Sequence, residues 1–219
     1  MGLIKIDFRF LNIFHELYAL KQFISSIESQ LPTVIEQETQ KAHENLRAKE
    51  YEDSDRQDIE QRLYDLINNV LPRYFWSSIF VILWAIFESG ILEAAKEAKS
   101  PEGQNIPLPD IPSNFLKKAN KLINDVFGFQ LRGLEGWKKL QMYYVLRNAI
   151  VHANGRIESI KSEKDINNIL GWGGEKNSGI DVSTGSIIFT PEFIKEAYQV
   201  MFDFLIGVTE TLKNQYPFE

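Results

Sequence analysis

The sequence predicts an all-α domain carrying one small β insertion. Three observations lead there. Long stretches place apolar residues at helical spacing, prolines and capping residues punctuate those stretches, and one pair of β-like triplets flanks a glycine-containing turn late in the chain. The 219 residues suffice for one large domain, and 44% hydrophobic with 25% charged residues is ordinary for a globular protein. With no repeats and no linker, 1–219 reads as a single domain.

The first helix is expected from about Ile4 to Gln30, with Phe10, Phe14, Leu17, Leu20, Ile24 and Ile27 on its apolar side. Pro32 is expected to restart the helix, since proline is tolerated in a first turn. The polar continuation to about Glu50 is either an exposed face or a mobile arm. Asp53-Ser54-Asp55 supplies cap chemistry for the next helix, whose buried side holds Ile59, Leu63, Leu66, Ile67 and Val70. Pro72 divides that segment from an apolar helix, Phe75 to Lys99, containing Trp84 and Glu88.

Pro101, Pro107, Pro109 and Pro112 fall within twelve residues and mark a loop. Ser113 can cap a helix to about Phe127. Another helix runs from about Leu134 to His152, with Asn154-Gly155 where a left-handed cap belongs. Ser162-Glu163-Lys164-Asp165 starts a short helix. Gly171-Trp172-Gly173-Gly174 lacks the lysine and strand-to-helix context of a phosphate loop and reads as a flexible turn. Ile180-Asp181-Val182 and Ile187-Ile188-Phe189 flank Ser183-Thr184-Gly185-Ser186 as a hairpin. Thr190-Pro191-Glu192 opens a last helix to about Leu212.

Composition removes several functional classes. There is no cysteine, so disulfides, zinc-thiolate sites and thiol nucleophiles are excluded. Dispersed histidines and the acidic stretch Glu50–Asp55, which lacks an EF-hand glycine, argue against a metal site; no cofactor is expected. The N-terminus lacks a secretory pattern, and the apolar run Ile79–Phe87 is nine residues where a membrane span needs about 20. A cytoplasmic protein with no membrane partner is expected.

Net charge is −6, which disfavours a general nucleic-acid coat. The distribution is uneven. Residues 36–65 carry ten acids against five bases, whereas 129–165 carry seven bases against four acids. An acidic protein can therefore hold one locally basic site, although two solvated helix faces of different composition explain the same numbers.

The chemistry-bearing string is Arg147-Asn148-Ala149-Ile150-Val151-His152, at the end of a predicted helix. Asn148 and His152 lie one turn apart on nearly one face, so Asn148 can hydrogen-bond an imidazole nitrogen and fix its tautomer. Arg147 is about 140° round the helix from His152 and about 7.5 Å along it. Either its guanidinium curls across or a second copy of the helix completes the site. The bland reading has His152 as a C-terminal cation on the helix dipole and Arg147 in a surface ion pair. His15 and His43 sit among ordinary polar residues. Trp137, Tyr143 and Tyr144 suit a core or an interface better than base stacking.

Leu146 to Gly155 resembles the R-x4-6-H motif of the HEPN superfamily in its shortest, four-spacer form, with the usual polar residue after the arginine. Leu83-Trp84-Ala85-Ile86-Phe87-Glu88 is similar to the apolar helix that members place before the motif helix. The hairpin leading into Thr190-Pro191-Glu192 looks like the C-terminal part of bacterial MAE/RiboL-PSP-like HEPN groups. The resemblance implies an up-and-down HEPN-type bundle over 71–212, with 1–50 left as an N-terminal helical extension.

It also implies a homodimer with both motifs facing one cleft, and metal-independent endoribonuclease activity on RNA in a toxin or phage-defence role. An antitoxin such as a minimal nucleotidyltransferase is an implied partner. The catalytic pair carried over is Arg147 and His152, with Asn148 as the orienting residue and Glu88 as a weaker partner in the cleft. His152 would move protons to and from the 2′-OH and the leaving 5′-oxygen, and Arg147 would stabilise the phosphorane. Two other readings stand beside this one: a non-catalytic module binding nucleotide, RNA or protein, favoured by the low basic charge, and a purely structural helical dimer.

Overall fold

The computed structural model describes residues 10–47, 53–98 and 114–215. The chain is mostly helical with one small antiparallel hairpin. The helices are α1 (Leu11–Arg47), α2 (Asp53–Asp65), α3 (Leu71–Glu97), α4 (Phe115–Phe127), α5 (Trp137–Ala153), α6 (Glu163–Gly174) and α7 (Pro191–Gln215). Strands β1 (Ile180–Asp181) and β2 (Ile188–Phe189) pair Ile180 with Phe189 and Asp181 with Ile188. The proline-rich loop and Ser113 lie outside the described residues.

Two compact units form. The first comprises the described parts of Met1–Leu20, Val81–Asn148 and Lys195–Glu219; the second comprises those of Lys21–Phe80 and Ala149–Ile194. In the first, Ile13, Leu17, Leu83, Trp84, Phe87, Tyr143, Phe204 and Leu205 are buried. Phe87 stands edge-on to Phe115 and Phe204, with centroids 6.4 and 5.9 Å away. Gly90 lets α3 approach its neighbours closely, since a Cβ there would lie 3.1 Å from Ile13 and 3.2 Å from Leu205.

In the second unit the hairpin is fastened by aromatic rings. Phe189 stacks on Phe193 at 4.5 Å, and Phe80 packs against both at 4.9 and 5.5 Å. Predicted caps hold here: the Ser162 hydroxyl accepts from the Asp165 N–H, and the Thr190 hydroxyl accepts from that of Phe193. On α1 beyond Lys21, Ile24, Leu31 and Leu46 are the buried apolar residues, in keeping with a polar, exposed helix.

Three expectations need correction. Pro32 does not restart a helix; it lies inside α1. Its ring removes one backbone donor, and the helix continues through that loss. Pro72 does not divide two helices. The chain passes from α2 through a π-helical turn, Leu66–Val70, directly into α3, with the Leu71 N–H reaching back to the Leu66 carbonyl. Widening the turn just before a proline relieves the clash its ring would make in a regular ladder. Within that turn Ile67 is buried while Leu66 is 44% exposed. Finally, Gly171-Trp172-Gly173-Gly174 is not a loop but the end of α6, where Gly173 abuts Val182 so closely that a Cβ would meet it at 2.8 Å.

The helical run Asp55–Glu97 is long and apolar enough to cross a membrane by composition, and half of its most apolar window is buried inside the protein.

Candidate functional site

Helix α5 carries the whole string from Arg147 to His152. It stops one residue later because Asn154 and Gly155 both turn left-handed, with φ of 50° and 70°. The Gly155 N–H bonds back to the Ala149 carbonyl at 3.1 Å, and its carbonyl accepts from Ile187 at 2.8 Å. That hinge ties the helix end to the hairpin and leaves His152 exposed on the last turn.

Arg147 and Asn148 belong to the first unit, His152 to the second. Within the first, the Arg147 Nη1 donates to the Asn148 Oδ1 at 3.1 Å. The Arg147 Nε is buried, and among the described residues it has no hydrogen-bond partner and no carboxylate pairs with the guanidinium. Within this unit the Asn148 oxygen therefore holds the Arg147 guanidinium. The His152 side chain has no hydrogen bond from any described residue.

Glu88 is engaged along its own helix. Its Oε1 accepts from the Trp84 Nε1 at 2.6 Å, one turn back on α3, and it forms no ion pair with Arg147. Trp84 is fully buried, so Glu88 satisfies a buried indole N–H. Of the aromatic cluster Tyr143 is core, whereas Trp137 and Tyr144 are half-buried. Trp137 stacks on Phe204, Tyr143 is buried, and the Tyr144 hydroxyl accepts from the Asn114 N–H at 2.9 Å. Burial pushes the Tyr143 phenol well above its ordinary range, with Glu196 adding to the effect.

A groove of about 1020 Å³ in the first unit is lined by residues of α5 and α7 including Trp137, Lys139, Asp203 and Glu210, and contains none of the four predicted site residues. Its mixed charges give it no single sign.

A second polar cluster escaped the sequence reading. In the second unit, Arg73 is 9% exposed, and its Nη1 donates to the Ser186 hydroxyl at 2.8 Å. Its Cζ lies 4.9 Å from the Tyr74 ring centroid. Asn154 Nδ2 donates to the Tyr74 hydroxyl at 3.2 Å. That hydrogen bond first, then Arg73, with a further contribution from Arg156, hold the Tyr74 phenol below its ordinary range. Arg73 and Ser186 are separated by 113 residues, so no local pattern could have joined them.

Among the described residues no group of three or more His, Asp or Glu is placed to hold a metal ion. No family model, curated protein or solved structure matches the chain. The HEPN reading therefore rests on the motif residues themselves.

Proposed function

We propose that this protein is a HEPN-type, metal-independent endoribonuclease, cytoplasmic, acting as a toxin or in phage defence and restrained by an antitoxin such as a minimal nucleotidyltransferase. The observation that carries the reading is Arg147. It is held by Asn148 and, among the described residues, keeps a buried Nε without an acceptor and has no carboxylate to neutralise it. An arginine kept in that state suits an anionic ligand with planar, bidentate geometry. His152 shares its helix, is exposed, and supplies an imidazole able to give and take a proton.

In the reaction, a base takes the proton of a 2′-OH and the oxygen attacks the adjacent phosphorus. The 5′-oxygen leaves with a proton, giving a 2′,3′-cyclic phosphate and a free 5′-hydroxyl. His152 acts on the protons and Arg147 on the charge of the phosphorane. Since the two residues diverge around the helix, a homodimer supplies them from two copies to one cleft. Val151, 45% exposed beside His152, is an apolar surface that a second copy would cover.

Incubation with tRNA and mRNA in EDTA tests this. Cleavage should persist in the wild type. It should fall roughly 10²–10⁴-fold in His152→Ala and about 10²-fold or more in Arg147→Ala. Asn148→Asp, which would neutralise Arg147, should lower cleavage at least as much as Asn148→Ala. Equal activity in all four variants and the wild type would sink the proposal.

One observation favours a second reading. Because no described side chain hydrogen-bonds His152 and fixes its tautomer, the chain can instead be a non-catalytic HEPN module that binds RNA, nucleotide or protein. RNA binding without turnover, unchanged by His152→Ala, selects that alternative.

A further inference from the structure

The cluster around Arg73 has the makings of an anion site. A guanidinium that is nine-tenths buried is costly unless its charge and donors are matched. Arg73 meets that requirement poorly. Nη1 donates to the neutral Ser186 hydroxyl and the guanidinium lies over the neutral Tyr74 ring, but among the described residues Nε is buried with no partner and no carboxylate pairs with it. Ser77, also buried in the first turns of α3, has a hydroxyl without a partner too.

A second guanidinium comes with it. Arg156 is bridged through its backbone to Ser186, is exposed, and has a Coulombic effect on the Tyr74 phenol. Beside them lies a groove of about 440 Å³ lined by Arg156, Ile157, Glu158, Thr184, Gly185 and Ser186. Glu158 is its one acidic group; two hydroxyls and an arginine are the other polar side chains. Two arginines with adjacent hydroxyls match the fork geometry and charge of a phosphate.

Building on the nuclease reading above, we infer that Arg73 and Arg156, with Ser186 and Tyr74, form a subsite for a backbone phosphodiester of single-stranded RNA. Asn154 links it to the motif. It bonds Tyr74 and lies two residues beyond His152, so the two Cα atoms are no more than about 7 Å apart. A strand anchored at the arginines passes beside the histidine. The site thus gives an acidic protein a local grip on RNA without a general basic face.

The test uses the full chain and a fluorescein-labelled, fully 2′-O-methylated RNA oligonucleotide, which has no 2′-OH to attack. Anisotropy across a salt series gives Kd. Arg156→Gln should weaken binding about tenfold and lower the slope of log Kd against log salt by about 0.7. Arg73→Gln should do at least as much. If a thermal melt shows that Arg73→Gln is unfolded, the exposed Arg156→Gln carries the test. Lys164→Gln, removing an exposed charge on α6, should stay within twofold.

Wild-type affinity in Arg156→Gln overturns the subsite. So does an equal loss in Lys164→Gln, which would mean diffuse electrostatics. Competition by inorganic phosphate that depends on Arg156, with oligonucleotide affinity unaltered, would assign the site to free phosphate and overturn its RNA role. The two readings fail separately. Cleavage lost in His152→Ala but with arginine-independent binding sinks the subsite alone. Arginine-dependent binding with no cleavage of natural RNA sinks the nuclease alone.

Discussion

At the scale of single residues, the buried Trp84 indole N–H needs an acceptor, and Glu88 supplies it. Glu88 follows Trp84 by one helical turn, and that spacing explains its actual contact better than any catalytic partnership. Glu88→Gln keeps an acceptor for the indole N–H, and its stability should match the wild type within about 0.5 kcal/mol. Glu88→Ala strands a buried donor and should cost about 1–3 kcal/mol. Urea melts measure both, and cleavage per folded molecule should not change in either. A large activity loss in Glu88→Gln without a stability change would restore Glu88 to the site. Asn148 teaches the same lesson. Its neighbour one residue back, rather than one turn ahead, takes its oxygen, because a long guanidinium can curl toward an adjacent side chain in a way that helical-wheel angles ignore.

Elements were the most legible scale. Amphipathic spacing and caps marked α1, α4, α5 and α7, the Ser162 and Thr190 caps, the left-handed Asn154-Gly155 exit and the hairpin, because each is written in local chemistry. What failed were the punctuation marks. Pro32, Pro72 and the glycines at 171–174 all carry breaker propensity, yet all lie in or beside helices. Propensity is a weak prior that packing overrides. The site divides in the same way. The motif is contiguous and could be read directly, whereas the Arg73 cluster exists only after folding brings α3, the α5 exit and the hairpin turn together. Gly90 gives this scale its test. Its missing Cβ lets Ile13 and Leu205 approach within the contact limit, so Gly90→Leu should overpack the first unit and lose about 1–3 kcal/mol. Gly90→Ala gains about 0.5–1 kcal/mol of helix propensity against a tight contact and should land near the wild type. Wild-type stability in Gly90→Leu would show that the helices separate at no cost.

For the molecule as a whole, the consequence of burying tyrosines is a dependence on alkaline pH whose sign can be worked out. Tyr143 is fully buried, and its phenol is held above the ordinary value first by desolvation and then by Glu196. Tyr198 is raised by burial as well. In the unfolded chain both titrate near pH 10. Below that pH both states hold the proton, so neither phenol changes the stability. Above it the unfolded state releases protons that the folded state retains, so unfolding is favoured as pH rises. For Tyr143 the slope reaches about 1.4 kcal/mol per pH unit until its folded pKa is passed. Tyr74 acts the other way, because its lowered phenol ionises more readily in the folded protein. Comparing wild type with Tyr143→Phe isolates the largest contribution from lysines and from the other tyrosines. Urea melts at pH 9, 10 and 11 should show the wild type losing stability faster than the variant, with the difference opening above pH 10. Parallel losses across that range would mean that the Tyr143 phenol reaches solvent before the fold is lost.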